Sequence, residues 1–179
     1  MSTSSFQALK LSVVAQLAAR LENEEAWHAA LAAKTDAETA SAWLAARTRR
    51  PPFGDRVLGA LEAAALSAWP QTPAAIVTPL ADDAPEGVAP NAGAIQQVTS
   101  IIAVTLIIAA PNDATGASRR DELGALLGGV RMMVAGWQPD GARETLQFRR
   151  GRLAGLDGGR IEWREEYSLR HRLINLGPA

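Results

Sequence analysis

Apolar residues recur at helical spacing along the first part of the chain. Leu9, Val13, Leu17 and Leu21 stand at steps of four, with Phe6 near the start, which predicts a helix over residues 6–21. A second helical stretch follows Asn23 through Trp27 and Leu31. Thr35-Asp36-Ala37-Glu38 has the spacing of a capping box, in which Thr35 and Glu38 would each satisfy a free backbone N–H of the other. The helix it opens passes Trp43 and Leu44 and must stop before Pro51-Pro52. Residues 53–69 predict a short strand or turn around Val57 and Leu58, then a short helix ended by Pro70.

The period then switches to two. Residues 74–79 form a short apolar run bounded by prolines, which predicts a strand. Residues 81–94 combine acids, prolines and glycines without an apolar period, the composition of a loop. In residues 97–109, Val98, Ile102, Val104, Leu106 and Ile108 share one face, and Thr99, Ile101, Ala103, Thr105 and Ile107 the other. Both faces are largely apolar, so this predicts a central strand covered on both sides. Ser118 is placed to cap a helix over 118–136, with Asp121 and Glu122 in its first turn and a stripe from Leu123 through Leu126, Leu127, Val130, Met133 and Val134 to Trp137. Gly128-Gly129 in its middle costs about 1 kcal/mol per glycine against alanine, which a close helix–sheet approach could offset. Residues 144–151 and 160–173 form a hairpin around Asp157-Gly158-Gly159. Its second strand sends Ile161, Trp163, Tyr167, Leu169 and Leu173 one way, and Arg160, Glu162, Arg164, Glu166, Ser168, Arg170 and Arg172 the other. The fold class is α+β: a mostly antiparallel four-stranded sheet with a long helix on one face and extra N-terminal helices. The chain is expected to be a single domain, with residues 1–52 a helical extension and 53–179 the core.

Charge changes this picture more than composition does. The net charge of −1 hides a segregation: residues 1–79 carry seven bases and seven acids, 80–118 four acids and no base, and 119–179 eleven arginines against eight acids. A near-neutral total argues against a nucleic-acid domain, whose footprint is strongly basic. The absence of cysteine excludes disulfides and thiolate metal sites. No apolar run approaches the roughly 20 residues of a membrane helix, and no basic leader opens the chain, so a soluble, intracellular protein is expected.

Catalytic chemistry finds little support. His28 and His171 fit no metal-ligand spacing, and no nucleophile-elbow, phosphate-loop or dinucleotide-binding motif occurs. Glu165 and Glu166 are sent to opposite faces by strand alternation and cannot share a proton. Asp82-Asp83 lacks a third ligand. The one dense basic cluster is Arg149-Arg150-Gly151-Arg152. Neither a cofactor nor a metal is implied.

From Thr72 to Leu173 the chain resembles the tail terminator family of Mu-like and related phages. The resemblance rests on an ordered series. Pro73-Ala74-Ala75-Ile76-Val77-Thr78-Pro79-Leu80-Ala81 is similar to its first core strand, and Gln97-Val98-Thr99-Ser100-Ile101-Ile102-Ala103-Val104 to its long strand. Asp113-Ala114-Thr115-Gly116 with Asp121-Glu122-Leu123 resembles the turn and helix start. Gly136-Trp137-Gln138-Pro139-Asp140-Gly141-Ala142 resembles the helix-terminating turn. Residues 151–159, followed by Trp163 and Tyr167, resemble the closing hairpin. The stretch from Trp27 to Arg50 departs from the family pattern.

The resemblance implies a structural virion protein without catalysis: a ring, typically a homohexamer, that caps the tail tube, stops its polymerisation and offers a docking surface to the head connector. Its implied partners are further copies of itself, the tail tube protein and the head–tail connector protein, with the tail sheath a further candidate; no membrane and no specific nucleic acid are implied. Its implied location is the head-proximal end of the virion tail, with assembly in the host cytoplasm. Candidate interface residues are Arg149, Arg150, Arg152, Arg160 and Arg164, with Asp82, Asp83 and Glu86 as acidic counterparts. Two alternatives are another connector or completion ring protein, and a small α+β module binding nucleic acid or a ligand.

Overall fold

The computed structural model describes residues 5–47, 51–53, 57–59, 72–83, 95–109, 119–157 and 159–174. Three helices come first: α1 (Ser5–Glu22), α2 (Glu24–Ala32) and α3 (Ala37–Ala45). The strands are β1 (Val57–Gly59), β2 (Ala74–Asp83), β3 (Ile95–Ala109), β4 (Gln147–Asp157) and β5 (Arg160–Ile174), with α4 (Arg120–Val134) between β3 and β4. They form one sheet in the order β1-β2-β3-β5-β4. The pair β1–β2 is parallel and every other pair antiparallel.

The class is α+β as the sequence predicts, but the sheet has five strands and is mixed, not four antiparallel ones. The three residues of β1 are too few to display an alternation. A second correction concerns the acidic loop. Asp82 and Asp83 are strand residues, standing opposite Ser100 and Thr99 beyond a bulge at Leu80. The long β3 offers a template past the point where β2 stops being apolar, so pairing continues on backbone hydrogen bonds, with the Ser100 hydroxyl also donating to Asp82. A third correction extends β4 to Asp157, which puts Arg149, Arg150 and Arg152 within the strand and not at its end. The predicted helix within 53–69 lies outside the described residues, as do Glu86 and Ser118.

One apolar core joins the helices to the sheet. Leu17 and Leu21 of α1, Trp27 and Leu31 of α2, Leu44 of α3, and Leu126, Val130 and Met133 of α4 pack with Val77, Ile102, Val104, Leu106 and Tyr167. On the opposite sheet face Ile101, Ala103 and Ile107 are also buried, so β3 is central and covered on both sides as its two-sided pattern predicts.

Local hydrogen bonds fix the helix ends. The Asn23 side chain caps α2 by accepting the Ala26 N–H at 2.9 Å. The predicted capping box does not form. Asp36 is the cap of α3, accepting both the N–H and the hydroxyl of Thr39 at 2.7 Å, while the Thr35 hydroxyl donates back to the Leu31 carbonyl. A carboxylate is a stronger acceptor than a hydroxyl, which moves the cap by one residue. At its start α4 has Arg119 in the cap position without a side-chain hydrogen bond, and Asp121 and Glu122 sit in its first turn. Its last carbonyls are satisfied from the N-terminal helices: Arg20 Nε donates to Met133 O, and Lys34 Nζ to Met132 O and Ala135 O. Cations at a helix C-terminus also suit its dipole. Gly136, at φ 84°, then turns the chain away.

The adjacent glycines of α4 have different reasons to be there. A Cβ at Gly129 would lie 2.8 Å from ring atoms of both Trp27 and Trp43, whereas one at Gly128 meets nothing within 4 Å. The close approach is therefore helix to helix, onto two stacked indoles 5.6 Å apart, and not helix to sheet. Denaturant midpoints should separate the two positions. Gly128→Ala should stabilise by about 0.5–1 kcal/mol through helix propensity. Gly129→Ala should destabilise by roughly 1–3 kcal/mol through overpacking, and equal effects would refute the assignment.

Candidate interaction surface

The β4–β5 hairpin has two chemically distinct faces. Strand alternation puts Ile161, Trp163, Glu165, Tyr167 and Leu169 on the side of α4. Glu165 thus stands in the middle of an apolar row, 0% exposed. It accepts from Arg131 Nε at 2.9 Å and Nη2 at 2.8 Å, from Trp163 Nε1 at 3.0 Å and from the Tyr167 hydroxyl at 3.3 Å. Gly151 on β4 faces it across the ladder, where a Cβ would come within 2.6 Å of Glu165 Oε1. Only glycine leaves room for the carboxylate. Arg131 lies 4.8 Å from the Phe148 ring centroid, and Phe148 meets Tyr167 edge-on at 5.9 Å. Burial, then the charge of Glu165, pushes the Tyr167 hydroxyl well above its ordinary pKa, so it stays a donor. Helix α4 is thereby tied to the hairpin through one charged node.

The sequence holds the signal for this node: position 165 falls in the apolar row of β5, and Arg131 flanks the apolar stripe of α4. An acid at an apolar position of a strand, with an arginine beside a helical stripe, is the pattern of a buried pair. Glu165 and Glu166 do part to opposite faces, as alternation requires.

The outer face carries the predicted arginines and Asp83, whereas Asp82 lies on the helix face beside Ser100. Arg150 stands opposite Glu166, which is 2% exposed, and donates to it from Nε at 2.8 Å and Nη2 at 3.1 Å. Arg152 Nε approaches the same carboxylate at 3.5 Å. Arg149 reaches Asp83 at 3.3 Å, across the intervening β5 and β3. Asp82 accepts from Lys10 at 2.7 Å and from the Ser100 hydroxyl. Arg160 lies at the start of β5, half-buried. Arg152 and Arg164 stand directly opposite each other in the ladder. Among the described residues no ion pair reaches Arg164, and its Nε is buried without a hydrogen-bond partner. Like charges directly opposite are destabilising.

Arg149, Arg150 and Arg152 are not simply solvated. Arg150 and Arg152 are more than half exposed but neutralise a carboxylate that is not. Reversing all three to glutamate would set new acids against buried Glu166, so loss of assembly in that variant could not be separated from loss of fold.

A cleft of about 550 Å³ opens at the far end of the sheet, lined by Leu9, Gln97, Arg143, Glu144, Arg170, His171 and Arg172. It brings together no nucleophile with a base. His171 lies half-buried in β5 opposite Val98, and burial pushes its imidazole down. His28 lies on α2 beside Ser41 at 3.1 Å. Among the described residues no three His, Asp or Glu side chains are grouped to hold a metal. Among them too, no helix is long and apolar enough to cross a membrane.

The family model described as phage tail terminator protein matches residues 35–176. This chain belongs to the phage tail terminator family. The match takes in the sheet, α4 and the hairpin, and also α3, which the resemblance read from Thr72 onward had left out. No curated protein matches the chain. Membership makes this a structural protein of the phage tail, and so a virion component.

Two substitutions probe the faces. Arg131→Met should cost roughly 2–3 kcal/mol, below the range for a fully buried pair because half of Arg131 is in water. Gln at position 165 combined with Arg131→Met should recover part of that loss. On the outer face, the hydrogen bonds from Arg150 hold the Glu166 carboxyl below the ordinary carboxylate range, against its burial. A depressed folded value contributes stability above the unfolded value, about 4.3, and that contribution is lost as pH falls through the lower folded value. Glu166→Gln should therefore flatten the acid limb of a stability–pH curve, and an unchanged limb would contradict this pairing.

Proposed function

We propose that this chain is the tail terminator of its phage: a ring, a homohexamer by family resemblance, that caps the last ring of the tail tube, stops polymerisation and offers the head connector its docking surface. Its proposed place is the head-proximal end of the tail. The observation that carries the reading is the arginine-rich outer face of the hairpin, where Arg152 and Arg164 oppose each other and Arg152 shares the Glu166 carboxylate with Arg150. Such an arrangement is destabilising in the lone chain and is relieved by a partner's carboxylate. Charged faces of this kind set register and partner choice more than raw affinity. Arg149, Arg150, Arg152, Arg160 and Arg164 form the proposed basic side of the contact; Asp82, Asp83 and Glu86 form the acidic side.

The partners in this reading are neighbouring copies, the tube protein and the connector protein, with the sheath protein where the tail is contractile. Exposed pairs contribute only about 0–1 kcal/mol each, but the term repeats at every subunit of a ring. Deleting the gene should give overlong or headless tails by electron microscopy; tails of normal length with heads attached would sink the reading. Arg149→Gln with Arg152→Gln keeps the Arg150–Glu166 pair and so keeps the fold. This variant should lower assembly onto tails, with the largest difference from the parent at low salt, where charge pairs are least screened, and with no fall in the denaturant midpoint.

A further inference from the structure

The sheet has two open edges among the described residues. One is the whole of β4, whose only partner is β5. The other is the far end of β2, because β1 pairs only with Ala75–Val77 and leaves Leu80–Asp83 without a neighbour on that side. Each edge holds large apolar side chains in water: Leu153 is 51% exposed and Leu156 40% on β4, and Leu80 is 40% exposed on β2. Each edge is also charged, with opposite sign. Arg150 and Arg152 line β4 and share Glu166, while Asp83 ends β2 on the same face, with Asp82 on the helix face paired to Lys10.

We propose that Leu80–Asp83 of one copy adds as a strand to β4 of the next, so that the sheets join head to tail around the ring. The proposal rests on the ring reading above and names its seam. Strand direction fits it. Three antiparallel steps separate β2 from β4, so the two run antiparallel to each other. A rotation axis along the strands therefore brings β4 of one copy against β2 of the next as an antiparallel pair. Unlike edges meeting in this way give a heterologous contact, the kind that makes a ring when its rotation closes. Pairing of β4 with itself is disfavoured because arginines would face arginines. The two bulges of β4 and Pro79 beside the β2 segment further restrict which strand each edge accepts. At the seam the exposed leucines of the two edges cover each other, and Asp83, on the outer face, comes to the arginine row of β4.

The chain has no cysteine, so engineered thiols report the contact without background. Leu80→Cys with Leu153→Cys in one chain should, under a short bifunctional maleimide, give a ladder of covalent oligomers on purified tails and in concentrated free protein. A mixture of the two single variants should stop at the dimer. Efficient dimers from Leu153→Cys alone would overturn the proposal in favour of a two-fold β4 contact. The absence of any ladder on tails that carry the protein would overturn it outright. Tail length scored in the same strains separates this from the functional reading. A ladder on tails of uncontrolled length keeps the seam and removes termination. Normal termination without a ladder removes the seam and keeps termination.

Discussion

The Glu165 carboxylate is the constraint on which the hairpin side of this structure depends. A charge placed in an apolar row must be matched by donors or expelled, since its desolvation costs several kcal/mol. Three side chains answer it: Arg131 from α4, and Trp163 and Tyr167 from its own strand. A fourth position answers by having no side chain, since Gly151 clears the space above the carboxylate. The result couples α4, β5 and β4 through directional bonds that tolerate little sliding. Apolar packing alone would leave an outer strand freer to shift. A node of this kind holds β4 in one place while its outer edge stays open.

The other end of α4 is fixed by a different means. Arg20 and Lys34 donate to its last carbonyls, and Trp27 and Trp43 close on Gly129. The N-terminal helices are thus fastened to the sheet through α4, which touches them at its C-terminal half and the hairpin at Arg131. What this frame presents outward is a row of arginines in which Arg150 and Arg152 share Glu166 and, among the described residues, no ion pair reaches Arg164. The family is a structural one of the phage tail, and the assembly role proposed for this surface asks for no reaction.

Much of this was legible in the sequence because the relevant signals are periodic. The apolar stripe of α4, the alternation of β5 and the two apolar faces of β3 each repeat often enough to be read. The family resemblance rested on those same elements. What escaped depends on contacts distant in sequence. β1 is three residues beside β2, and the strand character of Asp82 and Asp83 comes from pairing with Ser100 and Thr99. The cap of α3 moved from Thr35 to Asp36 because two acceptors competed for the same donors. The need for Gly129 lies in tryptophans about a hundred residues away, so its neighbour Gly128 looks identical in sequence. In the candidate surface the arginines were visible as a cluster. Their neutralisation of buried Glu166, and the opposition of Arg152 and Arg164, required the register of the hairpin.

Amide hydrogen exchange on the free protein and on assembled tails tests the central claim, that the open edge of β4 is the surface this chain uses to assemble. An unpaired edge exchanges readily even when the core is stable. The amides of residues 147–157 that point away from β5 should therefore exchange quickly in the free chain and gain protection on tails, together with those of residues 80–83. Protection gained on tails by α1–α3 alone, with β4 unchanged, would contradict it.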